Sequence, residues 1–181
     1  MGILLELSDI YVPSFLKKRK LLQLFSATAD AFGAQMPAMK GLRMEDCLKE
    51  YARFTRDEAA RAIRDGAEGE VKQRLYQNAY RLGSALRGEF GVKNMKQAMK
   101  LARTVYQIVG INFMAGPQGD VVISRCYFTD FYSSKVCSVI SSLDAGLISG
   151  LTAGGRLTFS QRLTEGNDCC FARISHGVKS T

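Results

Sequence analysis

A chain of 181 residues, 46% of them hydrophobic, is near the usual size of one domain and can bury one sizeable core. No run of about 18 apolar residues is present, so the sequence predicts no membrane span. The formal net charge of +8 comes mostly from residues 1–110, where 19 Lys and Arg face 12 Asp and Glu over several predicted helices, which indicates solvated polar faces rather than a nucleic-acid site.

Apolar residues recur at helical spacing in four segments of the N-terminal part. Ser14 is the predicted N-cap of the first helix, and Gly33 is its predicted C-terminal stop. Cys47 falls on the apolar face of the second helix and is predicted to be a small core residue. Asn94, with Gln97 three residues later, forms a capping-box-like start for the fourth helix. The four helices are predicted over about residues 14–32, 44–63, 70–88 and 94–109.

After Gly110 the hydrophobic period changes from about 3.6 to about 2, which indicates strands. Residues 116–119 are typical of a hairpin turn. One more helix is predicted over residues 134–151, in which Gly146 and Gly150, one turn apart, allow close contact with a neighbouring backbone. The predicted strands cover residues 111–115, 121–128, 156–163 and 169–174.

These elements predict an α+β fold in a single domain spanning residues 1–181. A helical layer, residues 1–110, packs on an antiparallel sheet layer, residues 111–175, and the helix over residues 134–151 is the crossover. A parallel sheet, or a strand between residues 44 and 109, would contradict this architecture.

Several common kinds of active site are not expected. The one histidine, His176, lies in a polar C-terminal tail, so neither a Ser-His-acid triad nor most zinc-hydrolase ligand sets are expected. Neither a Cys-x-x-Cys pair nor a nucleotide-binding glycine motif occurs, and no cofactor is predicted. Five cysteines, an odd number, together with a start that lacks a basic leader, predict reduced thiols in a cytoplasmic protein.

Short motifs in the C-terminal half carry a resemblance to a known family. They are Cys-Tyr-Phe (126–128), Cys137, Gly-Leu (150–151), Arg-Leu-Thr-Phe (156–159), and Thr-Glu-Gly (164–166) followed by Cys-Cys-Phe (169–171). In these residues, and in a basic and apolar opening helix around residues 15–22, the sequence resembles the L-2-amino-thiazoline-4-carboxylic acid hydrolase-like family. It is similar, more distantly, to the 4-vinyl reductase ligand-binding domains. The resemblance implies an apolar small-molecule pocket between helices and sheet, and hydrolysis of a small cyclic amidine or thiazoline carboxylate.

The last strand leaves one question open, because neighbouring strand residues point to opposite faces of a sheet. Only one of Cys169 and Cys170 can therefore face inwards. Phe171 is large and apolar, so its parity favours Cys169, whereas the family spacing from Gly166 favours Cys170. Both alternatives remain.

Cys137 is the first candidate nucleophile, since a helix N-terminus stabilises a thiolate and the resemblance implies a cysteine at this position. Cys126 is expected to lie nearby, and Asp144, Glu165 and Asp130 are candidate proton carriers. The alternatives are that the cysteines are small buried hydrophobic residues, or that three thiolates hold a structural metal.

Five residues are candidate ligand contacts. They are Tyr76, Tyr80, Tyr132, Arg125 and Arg162, with Arg173 as a further arginine. An arginine can hold a substrate carboxylate through two parallel hydrogen bonds. The two tyrosines of the third helix flank its apolar stripe, where they either line a pocket or form the ordinary edge of the core.

Three classes of function follow from these residues. The first is a small-molecule hydrolase, and the second is a non-catalytic domain that binds or senses an apolar small molecule. The third is a basic interaction protein that uses the one concentrated basic patch, residues 17–20. A homodimer is compatible with each class, and no residue pattern specifies one.

Overall fold

The computed structural model describes residues 13–116 and 118–175. Residues 1–12, Pro117 of the predicted turn and the C-terminal residues 176–181, with His176, lie outside the described residues. The helices are α1 (Ser14–Phe32), α2 (Met44–Arg64), α3 (Glu68–Glu89), α4 (Met95–Ile108) and α5 (Ser134–Thr152). The strands are β1 (Ile111–Ala115), β2 (Asp120–Cys126), β3 (Arg156–Gln161) and β4 (Cys170–Ser175). The predicted α+β class is confirmed.

The four strands form one sheet in the order β1-β2-β4-β3, and every neighbouring pair is antiparallel. α5 connects β2 to β3, which lie on either side of β4, so it is the crossover that the sequence predicts. Two strands end earlier than predicted, because short 3-10 helices at Tyr127–Asp130 and Leu163–Glu165 follow them. None of the described helices is both long and apolar enough to cross a membrane.

The helix ends follow local sequence, with one correction. Pro13, not Ser14, is the N-cap of α1, and no side chain caps this end. Proline is tolerated there because the first N–H groups of a helix have no partner within it. Gly33, with φ of +66°, ends α1 as predicted. At the start of α4 the Asn94 side chain accepts a hydrogen bond from the Gln97 backbone N–H, as predicted.

An extra residue in β2 changes which side chains face the helical layer. Asn112 pairs with Arg125, whereas the next residue of β1 pairs with Ile123, so Ser124 is a bulge with no partner in β1. A bulge shifts the alternation of the residues beyond it. Cys126 therefore lines the interior, and Arg125 is exposed.

α3 and α5 pack with their backbones in close contact, as the spacing of Gly146 and Gly150 predicts. A Cβ on Gly150 would overlap the carbonyl oxygen of Tyr80, and one on Gly146 would overlap that of Tyr76. Gly83 of α3 is equally close to the backbone of α5. Glycine alone permits this approach, because every other residue carries a Cβ.

The buried side chains of both layers form one continuous hydrophobic core. Phe25 of α1 contacts Tyr51 and Phe54 of α2 edge-on or tilted, at ring-centroid distances of 5.1 and 5.0 Å. Cys47 is fully buried beside them, which confirms that it is a core residue.

We expect Gly150→Ala to lower the free energy of unfolding by roughly 1–3 kcal/mol, because the added Cβ forces the helices apart. Gly88→Ala is the matched control, since Gly88 lies in α3 and a Cβ added to it would meet open space. Gly88→Ala should stabilise the protein by about 0.5–1 kcal/mol through helix propensity. Urea unfolding of both variants measures the difference, and equal stabilities would contradict the close contact.

Candidate functional site

A cavity of ≈ 400 Å³ lies between the helices and the sheet. Its walls are mostly aliphatic, with Leu24 of α1, Leu82 of α3, Val105 of α4 and Leu143 of α5 among them. Ligand pockets of proteins have volumes of about 300–1,000 Å³ and are lined mainly by apolar side chains with a few polar groups. This cavity has those properties, so its polar groups are the candidates for function.

Of the two carboxyl groups on the cavity wall, that of Asp144 is half-buried and that of Glu89 is exposed. The Tyr106 hydroxyl donates a hydrogen bond of 2.9 Å to Asp144 Oδ1. Asp144 Oδ2 accepts no hydrogen bond from any described residue. Burial raises the pKa of Asp144 to about 6, against the opposing effects of the Tyr106 hydrogen bond and the positive charge of Arg162. The carboxyl group therefore changes charge close to neutral pH.

Tyr106 is held in place by the sheet. Its ring stacks on Phe113 of β1 with a centroid distance of 4.6 Å and an interplanar angle of 1°. Burial, with the neighbouring Asp144 charge, raises the pKa of Tyr106 well above its ordinary value, so the phenol stays protonated and can donate. Sequence reasoning missed the role of Tyr106 as the partner of Asp144. The two residues are 38 positions apart, and no local pattern connects them.

Two further tyrosines place hydroxyl groups next to the cavity. Tyr132, a predicted ligand contact, lines the cavity, and its hydroxyl forms a short hydrogen bond with Thr55. Tyr51 also lines the cavity and shares a hydrogen bond of 3.2 Å with Thr28. Because each phenol already has a threonine partner, these tyrosines shape the wall more than they offer open hydrogen-bonding sites.

Three of the late cysteines line the cavity: Cys126, Cys137 and Cys170. In β4, Cys170 is buried whereas Phe171 is 37% exposed on the outer face of the sheet. The spacing from Gly166 thus identifies the inward cysteine correctly, and the apolar character of Phe171 does not. Burial raises the pKa of Cys126 to about 12 and also raises that of Cys170.

Cys137 lies one turn into α5, where the Ser133 side chain caps the helix by accepting from the Val136 backbone N–H at 3.3 Å. The Cys137 N–H itself donates to the Ser133 carbonyl at 2.9 Å, so it is not a free amide of the helix end. Burial raises the pKa of the Cys137 thiol. The Thr164 hydroxyl opposes this rise without reaching full hydrogen-bond geometry. The thiol is therefore protonated at neutral pH.

Glu165 and Arg162 pair with each other outside the cavity. Glu165 is exposed, and its carboxylate accepts from the Arg162 backbone N–H at 3.1 Å and from Nη1 at 3.4 Å. Arg162 lies over the Phe159 ring at 4.9 Å and donates to Ser141 Oγ at 3.5 Å. Since Ser141 lines the cavity, the guanidinium lies directly behind the wall. The Arg162 Nε is buried without a hydrogen-bond partner among the described residues.

The tyrosines of α3 point away from the cavity. Tyr76 and Tyr80 are 38% and 40% exposed and stack on each other at 6.4 Å. The Tyr76 hydroxyl donates to Ser149 Oγ at 3.0 Å. Arg173 is on the outer face of the sheet, with its Nε 3.8 Å from Asp120 Oδ1. The structure thus does not bring these three predicted contacts to the cavity wall.

A second pocket of ≈ 590 Å³ opens on the surface beside the cavity, and from here on it is called the outer pocket. Arg125 and Asp130, both candidates from the sequence, are exposed in it. The residues that line both pockets are Ile111, Cys126, Thr129 and Leu163. The cavity and the outer pocket therefore adjoin along these four residues.

Within residues 13–116 and 118–175, no group of three or more His, Cys, Asp or Glu side chains could hold a metal ion. The structure therefore offers no arrangement for the three-thiolate metal site that the sequence left open.

No protein-family model matches this sequence, and no characterised protein matches it significantly. The family resemblance in the cysteine, glycine and hairpin motifs stays a prediction. The function proposed below rests on the cavity and on the residues that line it.

The raised pKa of Asp144 makes stability depend on pH. The folded protein keeps the Asp144 proton up to about pH 6, whereas an unfolded chain loses it near pH ~4. Between these values the folded state binds more protons, so the free energy of unfolding falls as pH rises, by roughly 2–3 kcal/mol for this group.

Asp144→Asn should abolish that contribution. The free energy of unfolding of the variant, relative to that of the original protein, should therefore rise from pH 4.5 to pH 7.5. Chemical denaturation at both pH values measures the change. Glu165→Gln is the control, because its carboxylate is exposed and outside the cavity, and it should show no such gain. An Asp144→Asn difference that stays constant with pH would contradict a buried, readily protonated carboxyl.

Proposed function

We propose that this chain is a small-molecule-binding domain whose cavity takes a mainly apolar ligand that donates a hydrogen bond to Asp144. The observation that supports this proposal most strongly is the Asp144 carboxyl group, which has one oxygen without a hydrogen-bond partner and lies on the wall of an otherwise largely apolar cavity of ≈ 400 Å³. A few polar groups in an apolar pocket fix a ligand's orientation and give specificity.

The energetics of Asp144 support a ligand that carries an O–H or N–H group. A buried polar group costs free energy unless it has a hydrogen-bond partner, and an ionised one costs more. Tyr106 satisfies Oδ1, and Oδ2 is left for a donor from the cavity. A ligand donor at Oδ2 would complete the set of hydrogen bonds and would favour the ionised carboxylate.

A second candidate is hydrolysis of a small cyclic amidine or thiazoline carboxylate. The observation that favours it is the Asp144 carboxyl group on the cavity wall, where only Oδ1 has a hydrogen-bond partner. Burial raises its pKa to about 6, which suits a group that accepts and returns a proton near neutral pH. Asp144 would take a proton from a water that attacks the amidine carbon and deliver it to the ring atom that leaves. Cys137 is less suited to nucleophilic attack, since burial raises its pKa and keeps the thiol protonated.

Binding of a larger apolar ligand ranks above hydrolysis because of the size of the cavity. A single five-membered ring with a carboxylate would fill only part of ≈ 400 Å³. It would also place a charged group against walls that are mainly aliphatic. A burial of charge without a paired partner is unfavourable.

The interaction-protein alternative has weaker support. Within the basic patch at residues 17–20, Lys18 Nζ donates to the Leu42 carbonyl, and Lys20 Nζ lies 3.2 Å from Glu89 Oε2. At least two of its four basic side chains therefore have partners within the chain. The Glu89 carboxylate neutralises the Lys20 charge, which weakens the long-range attraction that an acidic partner would need.

Calorimetric titration with 4-phenylphenol and with 4-methylbiphenyl tests the binding proposal. The two probes share an apolar body, and the phenol alone has a donor for Asp144. Both should bind, and Asp144→Asn should weaken 4-phenylphenol by about 10-fold or more, as expected for a hydrogen bond to a charged group. Glu165→Gln should change neither probe. If neither probe binds the original protein, the proposed function is wrong.

Incubation with 2-aminothiazoline-4-carboxylate, with detection of the ring-opened product, tests the second candidate. If the chain is this hydrolase, Asp144→Asn should lose turnover by roughly 10²-fold or more, as expected for loss of an acid–base group, whereas Cys137→Ser should retain it. Absence of turnover by the original protein would contradict the hydrolase, and the binding function would remain as the one candidate of the two. Loss of turnover in Cys137→Ser, with unchanged thermal unfolding, would instead restore the cysteine as nucleophile.

A further inference from the structure

We infer that the outer pocket binds a zwitterionic head group, one that carries a carboxylate and an ammonium, of an amphipathic ligand whose apolar body occupies the cavity. This inference rests on the proposed binding function and adds the chemical class of the ligand. Its basis is the shared wall of the two pockets together with the charges that the outer pocket presents.

The two pockets differ in character and touch each other. The cavity is mainly aliphatic, whereas the outer pocket combines apolar surface with amide, hydroxyl and charged side chains that include Gln107, Asn112 and Ser124. Four residues belong to both linings, so the two spaces adjoin along them. A ligand with an apolar end and a polar end would match both at once.

The charges of the outer pocket are one positive and one negative. Arg125 and Asp130 both line it, and they form no ion pair with each other or with another described residue. Each charge is therefore available to a ligand. A guanidinium recognises a carboxylate, and a carboxylate recognises an ammonium, through charge-assisted hydrogen bonds. A purely anionic head would be repelled by Asp130 and a purely cationic one by Arg125.

Local backbone structure holds these two residues at the boundary. The Ser124 bulge turns Arg125 outwards beside Cys126, which lines both pockets. Asp130 ends the 3-10 helix that follows β2, and the Thr129 hydroxyl fixes this helix by donating to the Cys126 carbonyl at 2.9 Å. The Asn112 amide donates to Ser124 Oγ at 2.9 Å, which leaves its carbonyl oxygen as a further acceptor.

Four probes with one biphenyl body test the inference by calorimetry at low ionic strength. They are 4-phenylphenylalanine, 3-(4-biphenylyl)propanoate, 2-(4-biphenylyl)ethylamine and 4-ethylbiphenyl, which carry both charges, the carboxylate, the ammonium and neither. 4-Phenylphenylalanine should bind tightest. Each charged contact should lower the Kd by about 5-fold, since exposed ion pairs are worth up to ~1 kcal/mol. The advantage should shrink as salt is added.

Variants assign the two charges. Arg125→Gln should remove the gain in affinity that the carboxylate gives a probe, and Asp130→Asn should remove the gain that the ammonium gives. Arg156→Gln and Asp168→Asn are matched controls, because both residues are exposed and line neither pocket. Neither control should change the order of the four probes.

The outcomes separate this inference from the proposed function. If 4-ethylbiphenyl does not bind, the binding function itself fails. If it binds as tightly as 4-phenylphenylalanine, or if only the carboxylate gives an advantage, the binding function stands and the zwitterionic head group is wrong. If the ammonium probes lose affinity in Asp144→Asn rather than in Asp130→Asn, the ammonium lies inside the cavity and the assignment to the outer pocket is overturned.

Discussion

The close backbone contact between α3 and α5 determines where the cavity lies. Gly146 and Gly150 bring α5 against α3 along one side of the helix. Asp144 is two residues before Gly146, which places it about 200° away around an α-helix. The surface of α5 that faces away from α3 therefore carries the carboxyl group and the Cys137 thiol into the interior. Any residue larger than glycine at the contact would move that surface.

The polar groups of the cavity come from separate elements that meet only in the folded chain. α5 supplies Asp144, α4 supplies Tyr106, and β1 supplies the Phe113 ring that holds Tyr106 in place. A carboxyl group in an apolar cavity lowers stability unless it is hydrogen bonded. Strongly shifted pKa values in a pocket are typical of functional sites. Asp144, rather than the predicted nucleophile Cys137, is the group on which both candidate functions depend.

Periodicity predicted the helices and the strands, because burial of one face repeats at 3.6 or 2 residues. The antiparallel sheet was also predicted, but the order of its strands was not. The glycine contact was also predictable, since Gly146 and Gly150 share a helix face. Orientation on the sheet was harder: strict alternation cannot foresee the Ser124 bulge, and it left open whether Cys169 or Cys170 faces inwards. The pairing of Tyr106 with Asp144 depends on tertiary packing, which a single sequence does not encode locally.

The bulge in β2 makes strand register a determinant of the wall's chemistry. If the same sequence paired regularly through Ser124, the strand would keep strict alternation, and the residues beyond this point would exchange faces. The guanidinium of Arg125 would then turn inwards, and the Cys126 thiol would turn to the surface. A regular strand here would thus replace a neutral boundary between two pockets with a cationic one. Deletion of Ser124, by contrast, would keep the pairs Asn112–Arg125 and Phe113–Ile123 and leave both side chains on their present faces.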